Sequence, residues 1–273
     1  MSTQELLRNT NCKMIKGEHF SDSEKQKITQ NLLSAVSHQD TVSRFHKGVK
    51  SPNDGRILYP LFYIPPYNDG KKSRLITGQL PKTQILSANH YELEILRILA
   101  LWDKDNPKVQ LMLDETLKRL DTTCFAHFCA TGECVGAGIA VLRFLSVLSL
   151  RDDKWINEIL TPMIAQYNNG HKGMAATNNN VPVFYLYSVL PDIANKSCYR
   201  LIEERKEWII HMLTRGGIVG PAVQDTYNVT MLYILRNALA ILPEYEYMKN
   251  AEVYISEKDN RCYCDVYKQT VFG

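Results

Sequence analysis

"VGAGIAVLRFLSVLSL", Val135–Leu150, is the stretch whose reading decides the fold. Its only charge is Arg143, and no polar stripe survives at a helical period. Such a segment predicts a helix buried on most of its sides. It is too short to cross a bilayer, and Arg143 interrupts it, so the expectation is a core helix rather than a membrane span.

Three other segments share this character: "HYELEILRILALW" from His90, "VPVFYLYSVL" from Val181 and "YNVTMLYILRNALAIL" from Tyr227. Aligned on Leu96-Arg97, Leu142-Arg143, Val189-Leu190 and Leu235-Arg236, they step by 46, 47 and 46 residues. A second kind of segment follows each of the first three: "NPKVQLMLDETLKRL" from Asn106, "DDKWINEILTPMIAQY" from Asp152 and "SCYRLIEERKEWIIHML" from Ser197. Here apolar residues recur on one helical face (Val109, Met112, Leu113, Leu117 and Leu120 in the first; Trp155, Ile156, Ile159 and Leu160 in the second), with charges opposite. These are amphipathic helices with one side in water. Asp105-Asn106-Pro107 and Asp152-Asp153 supply start signals, by side-chain capping and by proline in the first turn.

Links within a pair are short, whereas links between pairs run to about a dozen residues and align on Ala130, Ala176 and Ala222. A repeat of about 46 residues per helix pair fits an α/α toroid, with inner helices inside an outer ring, or an open α-solenoid. The wholly apolar first helices and the long glycine- and asparagine-rich links favour the toroid. The fold class expected is therefore all-α, with the helical repeats over 90–250. A closed toroid takes five or six pairs. Either the N-terminal helices complete it or the body is an open arc.

The ends differ from the middle. Residues 1–50 are expected to be helical, with Ser21 and Glu24 forming a capping box ahead of "KQKITQNLLSAV". Residues 55–78 read as extended, given their prolines and the turn Asn68-Asp69-Gly70. Residues 251–268 alternate Val253, Ile255 and Cys262, Cys264, Val266 around "EKDN", the pattern of a β-hairpin. The chain, 1–273, reads as one domain.

The run "WIIHMLTRGGIV", Trp208–Val219, resembles a degenerate copy of the repeat motif of terpenoid cyclases and protein prenyltransferases. Trp208, Ile209 and Gly217 match that motif, while Leu213 replaces its glutamine and Val219 its tryptophan. Gln166 and Gly170 keep the same four-residue step one repeat earlier. The resemblance spans roughly residues 90–243. It implies the toroid fold and an isoprenoid-like ligand in a central cavity. The family's catalytic motifs are absent: there is no Asp-x-Asp-Asp, and "GEC" at Gly132–Cys134 lacks the aspartate of the prenyltransferase zinc site. No cofactor or metal is expected on this basis.

Composition narrows the function. The chain is 45% hydrophobic and 22% charged with a net charge of +3, ordinary for a globular protein. Its basic clusters, Lys47–Lys50 and Lys71–Arg74, have no interleaved aromatic residues, so no nucleic-acid partner is expected. Seven cysteines spread along the chain fit reduced thiols, and the N-terminus lacks an apolar signal core. A cytoplasmic protein without a membrane span is expected.

Candidate chemistry gathers at the links. Cys124, His127, Cys129 and Cys134 have soft-ligand chemistry, but their four-residue gaps match no common zinc pattern, and buried packing thiols are the simpler reading. Cys134 at a helix start, with Glu133 and His127 near, is a candidate nucleophile with acid–base partners. In a toroid, His90, Tyr91, Glu94, Glu133, Asp225 and Tyr227 would ring one cavity mouth, and paired carboxylates with histidine and tyrosine suit carbohydrate or acid–base chemistry. Phe184, Tyr185, Tyr187 and Tyr233 either line that cavity or fill the core. Arg97, Arg143 and Arg236 either pair with nearby carboxylates or bind an anion. The candidate catalytic set is thus His90, Glu94, His127, Glu133, Cys134, Asp225 and Tyr227. The function expected is a small-molecule-binding protein or enzyme with a cavity for an isoprenoid-like or carbohydrate-like ligand. The alternative is a non-enzymatic helical scaffold for a protein partner.

Overall fold

The computed structural model describes residues 1–36, 49–50, 57–58, 74–81, 84–120, 134–148, 183–214 and 225–265. Among these the chain is mainly helical, with short strands confined to two antiparallel pairs. It gathers into two compact units. One comprises Met1–Thr10, His19–Leu75 and Gln79–Pro182, the other Asn11–Glu18, Ile76–Gly78 and Val183–Gly273.

The first unit is built around the buried helix α3 (Gln84–Trp102), which starts six residues before the His90 expected from the repeat. From Tyr91 to Ala100 every residue is buried. Helix α5 (Cys134–Leu145) packs along it and is buried over Gly136–Leu145, the part of the expected Val135–Leu150 helix that forms it; Ser146–Leu148 beyond it are half-buried. Ile95, Leu96, Ile98 and Leu99 of α3, and Ile139, Val141, Leu142 and Phe144 of α5, are all at most 1% exposed. Burying side chains of this size, each worth roughly 1.5–3 kcal/mol, is what holds these two helices together. The amphipathic helix α4 (Pro107–Leu120) covers α3 with Val109, Met112 and Thr116 and turns Leu111 to solvent. Its start is as the sequence signals: Pro107 is the first residue, and the Asn106 side-chain oxygen accepts the Lys108 N–H at 3.0 Å.

Helix α1 (Thr3–Ile15) opens the chain, and α2 (Asp22–Ala35) packs on α3. The capping box at Ser21 and Glu24 is present in both directions. Phe20 lies just ahead of it and sets its ring 4.9 Å from that of Trp102. Strands β1 (Val49–Lys50) and β2 (Ile57–Leu58) pair antiparallel, in register Val49 to Leu58.

The second unit centres on α9 (Asp225–Leu239). Packed on it are α6 (Val183–Ile193), α8 (Lys206–Thr214), a 3₁₀ helix over Pro243–Asn250 and the hairpin of β3 (Val253–Ile255) with β4 (Cys262–Cys264). The hairpin forms where alternation predicts it, with Val253 opposite Cys264 and Ile255 opposite Cys262. Cys262 and Cys264 are its buried face. The turn closes with Asn260 at φ +52°, a left-handed conformation that asparagine tolerates.

The segment read as one helix from Ser197 is divided instead. Helix α7 (Lys196–Glu203) ends and α8 begins after a tightened turn in which Arg205 N–H bonds Ile202 C=O at 2.9 Å. None of Glu203, Glu204, Arg205 and Lys206 is buried, so no core contact clamps that turn in α-helical geometry. Helix α7 begins at Asn195, whose side chain accepts the Cys198 N–H at 3.1 Å.

The helix expected from Asp152 and the links at 121–133, 168–180 and 215–224 lie outside the described residues, with His127, Glu133, Gln166, Gly170, Gly217 and Val219 among them.

Candidate functional site

Two of the candidate catalytic residues are described in full. His90 and Glu94 sit one turn apart on α3, 1% and 2% exposed. Two arginines share the Glu94 carboxylate: Arg143 of α5 pairs with Oε1, and Arg97 of α3 stands 3.8 Å from Oε2. Burial opposes the charge on Glu94, but Arg143, then Arg97 and His90, outweigh it and hold the carboxyl below its ordinary range. His90 is driven the other way by the same surroundings. Burial chiefly, with Arg143 assisting against the pull of Glu94, lowers its pKa to about 4. At neutral pH the cluster therefore holds an ionised carboxylate, two guanidiniums and a neutral imidazole. Arg97 and Arg143 thus follow the carboxylate-pairing reading of their repeat position.

Asp225 and Tyr227 lie in the first turn of α9 and Cys134 opens α5; the side chains of all three fall outside the described residues, as do His127 and Glu133 entirely. Of the aromatic residues, Tyr185 and Tyr187 are completely buried, and Phe184 and Tyr187 lie 6.1 and 5.7 Å from the Trp208 ring. Phe184 and Tyr187 join α6 to α8 through Trp208, and Tyr185 lies in the core. Among the described residues no group of three histidines, cysteines or acids is placed to hold a metal ion. Burial pushes the Cys198 and Cys264 thiols up to about 11, which leaves them protonated and poor nucleophiles. No helix among the described residues is long and apolar enough to cross a membrane.

The second unit contains a cleft of about 840 Å³ that the sequence reading does not anticipate. Three helix C-termini build it. Helix α1 ends with Gly17 at φ +73°, where Glu18 N–H reaches Lys13 C=O at 3.1 Å and Gly17 N–H reaches Met14 C=O at 3.0 Å. This is a Schellman closure, and glycine at its left-handed position carries no Cβ penalty. Helix α6 ends with Ala194 at φ +47°, its N–H on Leu190 C=O at 2.9 Å. Helix α9 unwinds through Ala240 and Ile241 into Pro243, the start of the 3₁₀ helix. The Asn237 side-chain amide donates to Ile15 C=O at 2.8 Å and ties α9 to the end of α1.

Met14, Ile15, Pro191, Ile241 and Pro243 make the cleft's apolar lining, and Lys16, Arg236, Glu246 and Lys249 its charged one. Lys249 pairs with Glu246 at 3.2 Å, and Lys16 lies 3.8 Å from Glu18. Arg236 differs from both lysines: it is 7% exposed. Its Nη1 donates to Ala251 C=O, its guanidinium carbon lies 4.3 Å from the Tyr233 ring centre, and its Nε has no hydrogen-bond partner among the described residues. Among the described residues it pairs with no carboxylate, unlike Arg97 and Arg143.

The chain gives no match with any protein-family model, any curated protein or any solved structure.

Proposed function

We propose that this chain is a small-molecule-binding protein and that its ligand occupies the cleft formed by the ends of α1, α6 and α9. The cleft itself carries the reading. At about 840 Å³ it falls in the size range of ligand pockets, and it combines apolar walls with a few convergent polar groups. Ala194 adds support: a non-glycine residue in left-handed backbone costs about 1–2 kcal/mol, and such strain gathers at functional sites. We assign the His90–Glu94 pair a structural role, as the charge centre that joins α3 to α5. The toroidal arrangement draws on the repeat spacing and the motif resemblance, an isoprenoid-like ligand on the resemblance, and a carbohydrate-like ligand on the carboxylates set among histidine and tyrosine.

A library of small molecules screened by backbone amide NMR tests this reading. Binding should perturb residues 14–17, 191–199 and 236–250 together. Hits that perturb only other residues, or no hits at all, would refute it. A protein-binding role draws on a different observation: Tyr254, 49% exposed, stacks on Tyr263 across the β3–β4 hairpin, 6.1 Å between ring centres. A partner docking there would shift the amides of 253–264 and leave the cleft unchanged.

A further inference from the structure

We infer that the cleft takes an organic anion, a carboxylate or phosphate head on an apolar body, with the head seated on Arg236. This rests on the reading of the cleft as a ligand site and specifies what it binds.

Arg236 occupies the position that Arg97 and Arg143 occupy in their own helices. Those two share the carboxylate of Glu94. Arg236 is buried to a comparable degree, yet no described carboxylate answers its charge. A buried guanidinium without a counter-charge is unfavourable, and an anion from solution removes the imbalance. The side chain is already positioned for that task. The Ala251 carbonyl and the Tyr233 ring fix the plane of the guanidinium, and its buried Nε has no partner among the described residues. A fixed planar fork suits a carboxylate or phosphate better than a mobile ammonium does.

The surroundings agree in sign. The lining holds three cations, Lys16, Arg236 and Lys249, against one carboxylate, Glu246, which Lys249 already pairs. Lys249 is exposed and Lys16 partly so; both have room to swing toward a bound head group. The three helix C-termini act against an anion through their dipoles, but their terminal carbonyls are largely closed by caps and by Asn237. A direct charge-assisted bond from arginine outweighs what remains. Met14, Ile15, Ile241 and Pro243 offer contact to an apolar body rather than to a bare inorganic ion.

Three probes with one apolar body separate the terms: hexanoate, hexyl phosphate and neutral hexanamide, titrated at constant ionic strength and followed by NMR. At least one of the two anions should bind at least about tenfold more tightly than hexanamide, and should move the Arg236 Nε–H resonance. Which of the two is tighter distinguishes a carboxylate from a phosphate ligand. Arg236→Lys should weaken the anion about tenfold or more and leave hexanamide unchanged. Because Arg236 also holds Ala251, the surface variant Lys16→Gln/Lys249→Gln provides a second reading in a fold left intact, with a several-fold loss confined to the anions. Equal binding of all three probes, indifferent to these variants, would overturn the anion assignment and leave the cleft as a ligand site. Binding of none of them also overturns it, and the library screen then decides separately whether the cleft binds anything.

Discussion

Glu94 balances the interior of the first unit. Two guanidiniums converge on its carboxylate where water is excluded, so the charges of the group support one another. Removing one member of such a group costs far more than the group contributes as a whole. Glu94→Gln keeps the shape and deletes the charge, which leaves Arg97 and Arg143 buried against each other. A loss of about 3–5 kcal/mol is expected in urea denaturation. Adding Arg143→Met to that variant should recover part of the loss, because the second substitution removes a buried charge whose carboxylate partner is already gone; a purely additive pair would contradict the shared-carboxylate geometry. Ala194 presents the opposite case, an exposed residue whose backbone alone is unfavourable. Left-handed geometry costs an alanine about 1–2 kcal/mol, and glycine gives back roughly 0.5–1 kcal/mol through its freer unfolded chain. Ala194→Gly should therefore stabilise the protein by about 0.5–1 kcal/mol in the same denaturation experiment. Destabilisation would mean that the methyl group makes a contact worth more than the strain.

The elements show where local chemistry suffices and where it does not. Ser21 and Glu24 satisfy each other's backbone donors across a single turn, so the start of α2 depends on four consecutive residues and on nothing distant. Ser21→Ala removes one side of that exchange and should cost about 1 kcal/mol, measurable as a lowered denaturation midpoint at unchanged slope. The same locality made Asn106-Pro107 and the Val253–Cys264 hairpin readable from sequence. Burial of the middle of α3 and of most of α5 was readable too, since apolar residues occur on every side of both helices. The break between α7 and α8 was not. A run of charged residues is compatible with helix, and only the lack of a core contact at Glu203–Lys206 decides against it. The cleft was out of reach for a different reason. Its walls come from residues 14–17, 191–199 and 236–250, and no short-range pattern brings three helix ends together. Ala194 hid one of them, because the usual sign of a left-handed helix end is a glycine. Arg236 did stand out as a charge in an apolar run, but that no described carboxylate pairs with it is visible only in three dimensions.

At the scale of the whole molecule the buried charge cluster couples folding to pH. His90 is neutral in the folded state with a pKa of about 4, against 6.5 for an ordinary histidine. Its folded pKa is depressed, so the stability it confers is complete above pH 6.5 and is lost as pH falls toward 4, where the unfolded chain takes a proton that the folded one refuses. A shift of this size corresponds to roughly 3 kcal/mol over that window. Glu94 faces His90 and carries a depressed pKa of its own, but it stays ionised through most of this range; its contribution is lost lower, as pH drops below the ordinary carboxylate value and through its folded pKa. Arg97 and Arg143 remain charged throughout and hold the sign of the local field constant. Between pH 7 and pH 5, then, the slope of stability against pH should carry a distinct histidine component. His90→Gln changes absolute stability by an amount set by packing, yet it removes that component, and its slope over this interval should be shallower than that of the native chain. Parallel slopes, or an NMR titration placing His90 near 6.5 in the folded protein, would show that the imidazole is solvated and that α3 and α5 do not enclose it as described.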